Sequence, residues 1–261
     1  MPRFSRRTFI KVAGAAAATL KSADSTAAPA SSAAKSSPQA TAGQGARGRA
    51  TYTFLNAQEA SFIEAAVARL IPADETGPGA LEAGVANYID KQLAGAWGAG
   101  ERLYRSGPWS AGAPTQGYQL PFTPAELFRN ALRGANEDVT RTRNTTFARL
   151  PPAEQDAYLT AMQKGTTDYH GVPANVFFES LLSMTIEGFF SDPVYGGNHD
   201  MIGWKLIGFP GGYANYYDLV DQHGLAFTRA PMSLAEDAHG TVHVHPNISS
   251  YPLRDLRQKG K

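Results

Sequence analysis

Apolar residues recur at helical spacing in five stretches of this chain, and polar residues fill the positions between them. Spacings of three and four residues place apolar side chains along one face of an α-helix. The five stretches predict helices over residues 57–71, 80–93, 124–144, from 152 onward, and 175–190.

Several of these helices carry recognisable ends. Asn56 and Glu59 have the spacing of a capping box, in which each side chain bonds the other residue's backbone N–H. The run Thr123-Pro124-Ala125-Glu126 repeats that pattern with proline at the first helical position. Pro72 should end the first helix, because proline lacks a backbone N–H and clashes with the preceding turn.

The stretch 175–190 is the most apolar of the five and is predicted to be the buried central helix. Its apolar residues cover most of the circumference: Val176, Phe177, Leu181, Leu182, Met184, Ile186, Phe189 and Phe190. Regular alternation bounded by Asn-Gly or Asp-Gly turns is missing from the sequence. The predicted fold is therefore mainly α, a single irregular helical domain with long loops rich in Gly and aromatic residues.

The two longest predicted loops span residues 95–120 and 191–213. Ten of the 41 residues from Phe177 to Tyr217 are aromatic, against 10% of the whole chain. Glycines are interleaved with them, so the loop's aromatics cannot all be buried by a helix of their own. They either wrap the core of the domain or face a partner.

The N-terminus has the layout of an export signal. Basic residues come first, and a short, mildly apolar segment and small residues follow. The run Ser5-Arg6-Arg7-Thr8-Phe9-Ile10-Lys11 resembles the twin-arginine consensus, with Arg6, Arg7 and Phe9 as its recognition residues. A basic arm, or an ordinary signal with two adjacent arginines, is the alternative.

These patterns divide the chain into four parts: a signal over residues 1–30, a flexible Ala/Ser/Pro/Gly linker over 31–51, a helical domain over 52–230, and a tail over 231–261. The linker composition buries too little apolar surface to offset its ordering entropy.

Charge and composition exclude several classes of protein. Residues 1–50 contain eight of the 24 basic residues and one of the 23 acidic residues, a net charge of +7. The remaining 16 basic and 22 acidic residues give residues 51–261 a net charge of −6, which argues against nucleic-acid binding. The absence of cysteine excludes disulfides, thiolate metal sites and covalent c-type haem attachment on this chain.

Motifs for catalysis or metal binding are weak. The Gly-rich run over residues 77–84 lacks the spacing of a dinucleotide-binding loop and reads as a connection between helices. His243 and His245 could offer two imidazoles to a metal, but a solvated tail pair is the simpler interpretation. A G-x-S-x-G nucleophile motif does not occur.

Four groups of residues form a recognisable set. Leu70-Ile71-Pro72-Ala73-Asp74-Glu75 comes with Gly77-Pro78-Gly79-Ala80, and Ala83-Gly84-Val85 precedes Tyr88-Ile89-Asp90. Gly107-Pro108-Trp109 is the third group. The fourth and most specific group runs from Glu187-Gly188-Phe189-Phe190 through Asp192-Pro193, Tyr195-Gly196-Gly197-Asn198 and Asp200-Met201 to Gly203-Trp204-Lys205 and Ile207-Gly208-Phe209-Pro210-Gly211. Together these groups resemble the small subunit, subunit 3, of the gluconate 2-dehydrogenase family.

The resemblance implies a non-catalytic subunit of a membrane-associated sugar or sugar-acid dehydrogenase complex. Such small subunits escort a large FAD-dependent subunit through the twin-arginine translocase into the periplasm, and a multihaem cytochrome c subunit then accepts the electrons. Cofactors are thus expected on the partners and none on this chain. The expected partner interface comprises Tyr195, Gly196, Gly197, Asn198, Asp200, Trp204, Lys205, Phe209 and Pro210. The loop from Tyr195 to Gly211 is expected to form the partner surface or to brace it, with Tyr195, Trp204 and Phe209 as anchors. Asp200 and Lys205 could form a desolvated ionic contact, or a surface pair of little consequence.

Two other functions stay open at this point. The chain could be a stand-alone periplasmic enzyme that builds its site from the aromatic loop, carboxylates and histidines. It could also be a carbohydrate-binding module with Trp97, Trp109 and Trp204 as stacking platforms.

Overall fold

The computed structural model describes residues 51–110, 112–113, 115–165, 167–212, 221, 224 and 230–234. Six α-helices lie in this part of the chain: α1 Ala57–Leu70, α2 Val85–Ala94, α3 Pro124–Arg143, α4 Pro152–Lys164, α5 Ala174–Phe190 and α6 Ile202–Ile207. Two antiparallel strands of two residues each, β1 Asp168–Tyr169 and β2 Val172–Pro173, join α4 to α5. The prediction of a mainly α fold is confirmed.

The predicted capping boxes form at both helix starts. Asn56 Oδ1 accepts the N–H groups of Gln58 and Glu59, and the Glu59 carboxylate accepts the N–H of Asn56. Thr123 and Glu126 make the same reciprocal pair at the start of α3. These bonds satisfy donors that would otherwise lack partners in the first helical turn.

The second helix begins five residues later than predicted. Residues 80–84 form hydrogen-bonded turns instead, and Gly84 precedes α2 in a left-handed conformation with φ 74°. The Gly-rich run over residues 77–84 thus connects α1 to α2, as the sequence predicted.

Helix α5 is the centre of the fold and contacts each of the other five helices. Phe177 on α5 is fully buried between Phe62 of α1 and Phe128 of α3, with ring centroids 6.4 Å and 5.4 Å away. Phe147 packs on Phe62 at 4.5 Å and extends this aromatic cluster towards α4. The predicted central helix is confirmed.

A fully buried carboxylate fixes the point where the chain enters the helical domain. Asp90 on α2 accepts the backbone N–H groups of Thr53, Phe54 and Leu55 at 2.8–2.9 Å. Arg129 of α3 donates to the Phe54 carbonyl at 2.8 Å, and its guanidinium lies 4.0 Å from the centre of the Phe54 ring. Residues 53–55, directly after the predicted linker, are therefore firmly attached.

The expectation of two long structureless loops is wrong for the second one. Residues 191–212 include the 3-10 turns Pro193–Tyr195 and His199–Met201 as well as the helix α6. Six-residue α6 has too few turns to produce an apolar stripe that sequence periodicity can detect. The first loop, between α2 and α3, has no regular helix or strand among its described residues.

Replacement of Phe177 by Ala should destabilise the protein by about 3–5 kcal/mol, because it opens a cavity that neighbouring helices cannot close. Phe190→Ala is the matched control on the same helix, since that ring is 38% exposed. Urea unfolding followed by circular dichroism measures both changes. Equal losses for the two variants would contradict the central position of Phe177.

Candidate functional site

The residues that carry the most specific sequence motif form one compact segment, residues 191–212, called here the motif segment. It follows α5 directly and folds back over the last turn of that helix. Its residues divide into a buried set that holds the segment and an exposed set that solvent reaches.

Asn198 and Trp204 hold the motif segment by capping α5. The last carbonyl groups of a helix lack partners within the helix. The Trp204 indole N–H donates to the Phe190 carbonyl at 2.8 Å, and Asn198 Nδ2 donates to the Ser191 carbonyl at 2.9 Å. Asn198 Oδ1 also accepts the Gly203 N–H at 2.7 Å, which links the end of α5 to the start of α6.

Both capping residues are buried: Asn198 is fully inaccessible and Trp204 is 6% exposed. Trp204 was expected to anchor a partner with its ring, yet the ring packs inside the protein against Phe209 at 5.1 Å. Trp204 and Asn198 therefore brace the exposed face from within.

Two glycines let the motif segment approach the α5 backbone. A Cβ atom at Gly197 would lie 2.3 Å from the Gly188 carbonyl oxygen, and one at Gly203 would lie 2.1 Å from that of Phe189. Contacts this short do not occur with real side chains, so only glycine fits at either position.

The backbone between these glycines is strained. Asn198, Asp200 and Met201 have positive φ angles of 46°, 54° and 55°. Asn and Asp tolerate the left-handed region, whereas for Met it costs on the order of 1 kcal/mol or more. The capping hydrogen bonds of Asn198 hold this conformation in place, which turns residues 199–201 towards α2.

Helix α2 supports the motif segment from the other side. Asn87 Nδ2 donates to the Gly196 carbonyl at 2.7 Å, and the His199 N–H donates to the Ala83 carbonyl at 3.0 Å. The Tyr88 ring packs against Gly188, and its hydroxyl lies 3.4 Å from the Glu187 carboxylate. Burial, reinforced by Glu187, raises the pKa of Tyr88 to about 12, so this hydroxyl stays neutral at physiological pH.

The motif segment exposes several large apolar side chains. Tyr195, Ile207 and Phe209 are 53%, 60% and 46% exposed. Leu206 is exposed to a lesser degree. Some aromatics of residues 177–209 therefore fill the core, as one interpretation of the sequence required, and others face solvent.

The remaining residues expected at the interface are distributed over both sets. Gly196 and Gly197 are buried, Pro210 is half-buried, and Asp200 and Lys205 are exposed. Asp200 and Lys205 form no ion pair with each other, so the desolvated contact considered from the sequence is absent between these two described residues.

Other sequence-predicted features lie elsewhere. Trp97 and Trp109 are 45% and 37% exposed on the loop between α2 and α3. Within the described residues, no group of three or more His, Asp or Glu side chains is placed to hold a metal ion. None of the described helices has the length and hydropathy needed to span a membrane. Arg6, Arg7, Phe9, His243 and His245 lie outside the described residues.

The family model for gluconate 2-dehydrogenase subunit 3 matches residues 57–211, more than half of the 261 residues. The chain belongs to this subunit 3 family. No curated protein and no solved structure matches it. The resemblance drawn from the motifs is thus confirmed, and the family match runs from the first residue of α1 to Gly211, one residue before the end of the motif segment.

For this subunit 3, the structure gives the motif residues separate physical roles. Gly197, Asn198, Gly203 and Trp204 fix the segment onto α5. Sequence reasoning missed Ile207, the most exposed apolar residue of the motif segment. Recognition of α6 would have placed it on the outer face.

Gly203→Ala should lower the free energy of unfolding by about 2 kcal/mol or more, although alanine usually stabilises a helix by about 1 kcal/mol relative to glycine. The reason is the 2.1 Å approach to the Phe189 carbonyl oxygen. Lys205→Ala, at an exposed site of the same helix, is the control and should be nearly neutral. Chemical denaturation measures the free energy of unfolding of both variants. A Gly203→Ala protein as stable as the wild type would contradict the close packing of Gly203 against α5.

Proposed function

We propose that this chain is the non-catalytic small subunit of a membrane-associated, FAD-dependent sugar or sugar-acid dehydrogenase complex. Its task is to help the catalytic flavoprotein fold, to carry it through the twin-arginine translocase and to keep it assembled in the periplasm. Membership of a dehydrogenase subunit family implies association with other subunits.

The observation that carries the proposal is the exposed apolar face of the motif segment. Tyr195, Ile207 and Phe209 stand on a backbone fixed by buried caps and by glycine contacts with α5. Tyrosine is one of the residue types enriched in binding hot spots, and less critical contacts around a hot spot exclude water from it. A rigid base reduces the conformational entropy lost on docking, so the same contacts give a higher affinity.

The export role rests on the sequence of the N-terminus. Arg6, Arg7 and Phe9 occupy the positions that a twin-arginine signal requires. Because this pathway carries folded cargo, a partner without its own signal can cross with this chain once the two have docked. Asp90 and Arg129 attach residues 53–55, which directly follow the predicted linker in the sequence, to the helical domain.

Redox cofactors are assigned to the partner chains. FAD belongs on the large dehydrogenase subunit, and c-type haem on a cytochrome c subunit that passes electrons to the respiratory chain. Covalent c-type haem attachment requires cysteine, and the 261 residues contain none.

A carbohydrate-binding function is the second candidate, and it rests on the exposed indoles of Trp97 and Trp109. The buried Trp204 cannot serve as a third stacking platform in this structure. Titration with free gluconate and glucose, followed by tryptophan fluorescence, separates the candidates, because the escort function predicts no quenching.

Tyr195→Ala and Phe209→Ala should each weaken docking of the flavoprotein about tenfold or more, because both remove exposed apolar anchors. The tagged full chain is purified from native membranes, and bound flavin absorbance per chain is measured. Tyr104→Ala is the matched control, since that tyrosine is 80% exposed on the loop between α2 and α3. If Tyr195→Ala and Phe209→Ala both retain the wild-type flavin content, the motif segment does not form the interface.

Replacement of both Arg6 and Arg7 by Lys should abolish export of this chain and of its flavoprotein partner together. The measurement is the amount of each protein in periplasmic and cytoplasmic fractions, with the change Lys21→Arg as a control outside the motif. If the partner reaches the periplasm while this chain stays inside, the escort function is wrong.

A further inference from the structure

A short segment far along the chain returns to the motif segment. The Gly212 N–H donates to the Met232 carbonyl at 2.7 Å, and the Met232 N–H donates to the Pro210 carbonyl at 3.1 Å. These bonds form a parallel bridge between Gly211 and Met232. Residues 230–234, called here the strap, thus lie along the last residues of the motif segment.

The strap is attached to a buried carboxylate. Asp192, 8% exposed at the end of α5, accepts the Ser233 hydroxyl at 2.5 Å and the Leu234 N–H at 2.8 Å. Its third donor is the Val194 N–H at 3.0 Å. A buried carboxylate is costly unless donors surround it, and the strap supplies two of these three bonds.

These hydrogen bonds fix the backbone of Leu234, whose large apolar side chain is exposed to solvent. Leu234 is 74% exposed, and its side chain lies against Gly212 at the edge of the motif segment. Asp192 also orders the turn that carries the exposed Tyr195. One carboxylate therefore positions two exposed apolar residues that are 39 positions apart in the sequence.

We propose that the strap completes the docking surface for the flavin-carrying catalytic subunit, with Leu234 as a contact residue and Asp192 as the positioning residue. The proposal rests on the function proposed above. The catalytic subunit is the chosen occupant because Leu234 lies against Gly212, at the end of the same segment that carries the exposed Tyr195, Ile207 and Phe209. The strap lies beyond residue 211, where the family match ends, so it adds a contact that the family motif does not include.

Leu234→Asp in the full chain tests the contact. We expect at least tenfold weaker capture of the flavoprotein from native membranes, because a charge would be buried against an apolar partner surface. The helical circular dichroism should stay unchanged, since this side chain is exposed. Leu103→Asp, at another exposed leucine, is the control and should bind normally.

Asp192→Asn and Ser233→Ala test the positioning. Each should weaken capture in the wild-type background. Once Leu234 is Asp, Ser233→Ala should not weaken capture further, because it acts through the same contact. Asp192→Asn should then keep only the part of its effect that it exerts through the turn of Tyr195. A purely structural role would produce the same additional loss in both backgrounds. Such additivity would overturn the assignment of Asp192 as a positioning residue.

The outcomes distinguish the two proposals. A wild-type chain that captures no flavoprotein contradicts the proposed function itself. Normal capture by wild type and by Leu234→Asp alike removes the strap from the interface and leaves the proposed function standing. A second copy of this chain could occupy the surface instead of the catalytic subunit. Light scattering of the purified chain tests this, because a dimer that Leu234→Asp dissociates would show that a second copy binds there.

Discussion

The motif segment depends on one constraint, the need to cap the last carbonyl groups of helix α5. A helix that ends against other parts of the protein leaves carbonyl groups that need donors. Here the Trp204 indole and the Asn198 amide provide two of these donors, at Phe190 and Ser191. Because the donors come from the motif segment, the segment must fold back over α5, and the two glycines at its contact points make that approach possible.

This arrangement predicts both strict and permissive positions within one stretch of sequence. Asn198, Gly203 and Trp204 are buried and bonded to α5, so each has few acceptable substitutes. Tyr195, Ile207 and Phe209 are about half exposed, so their outer parts are open to substitution. The buried residues determine the shape of the surface, and the exposed residues determine its chemistry.

Two buried carboxylates each attach a non-helical segment to the helical domain. Asp90 collects three N–H groups from residues 53–55, and Asp192 collects donors from the 3-10 turn after α5 and from the strap. In both cases a short segment without helical structure is attached to a helix end or face by charge-assisted hydrogen bonds. The two attachments fix the start of the domain and the edge of the proposed docking surface.

The sequence by itself determined the helical class, both capping boxes, the central position of α5 and the subunit family, because these depend on local spacing and on contiguous motifs. It did not predict α6, whose six residues are too short for periodicity, or the five-residue delay in the start of α2. Only the tertiary structure decided that Trp204 faces inward, that Ile207 faces outward and that Ser233 meets Asp192. Each of these depends on contacts between residues distant in sequence, and the orientation of a side chain there follows from packing, which no local pattern encodes.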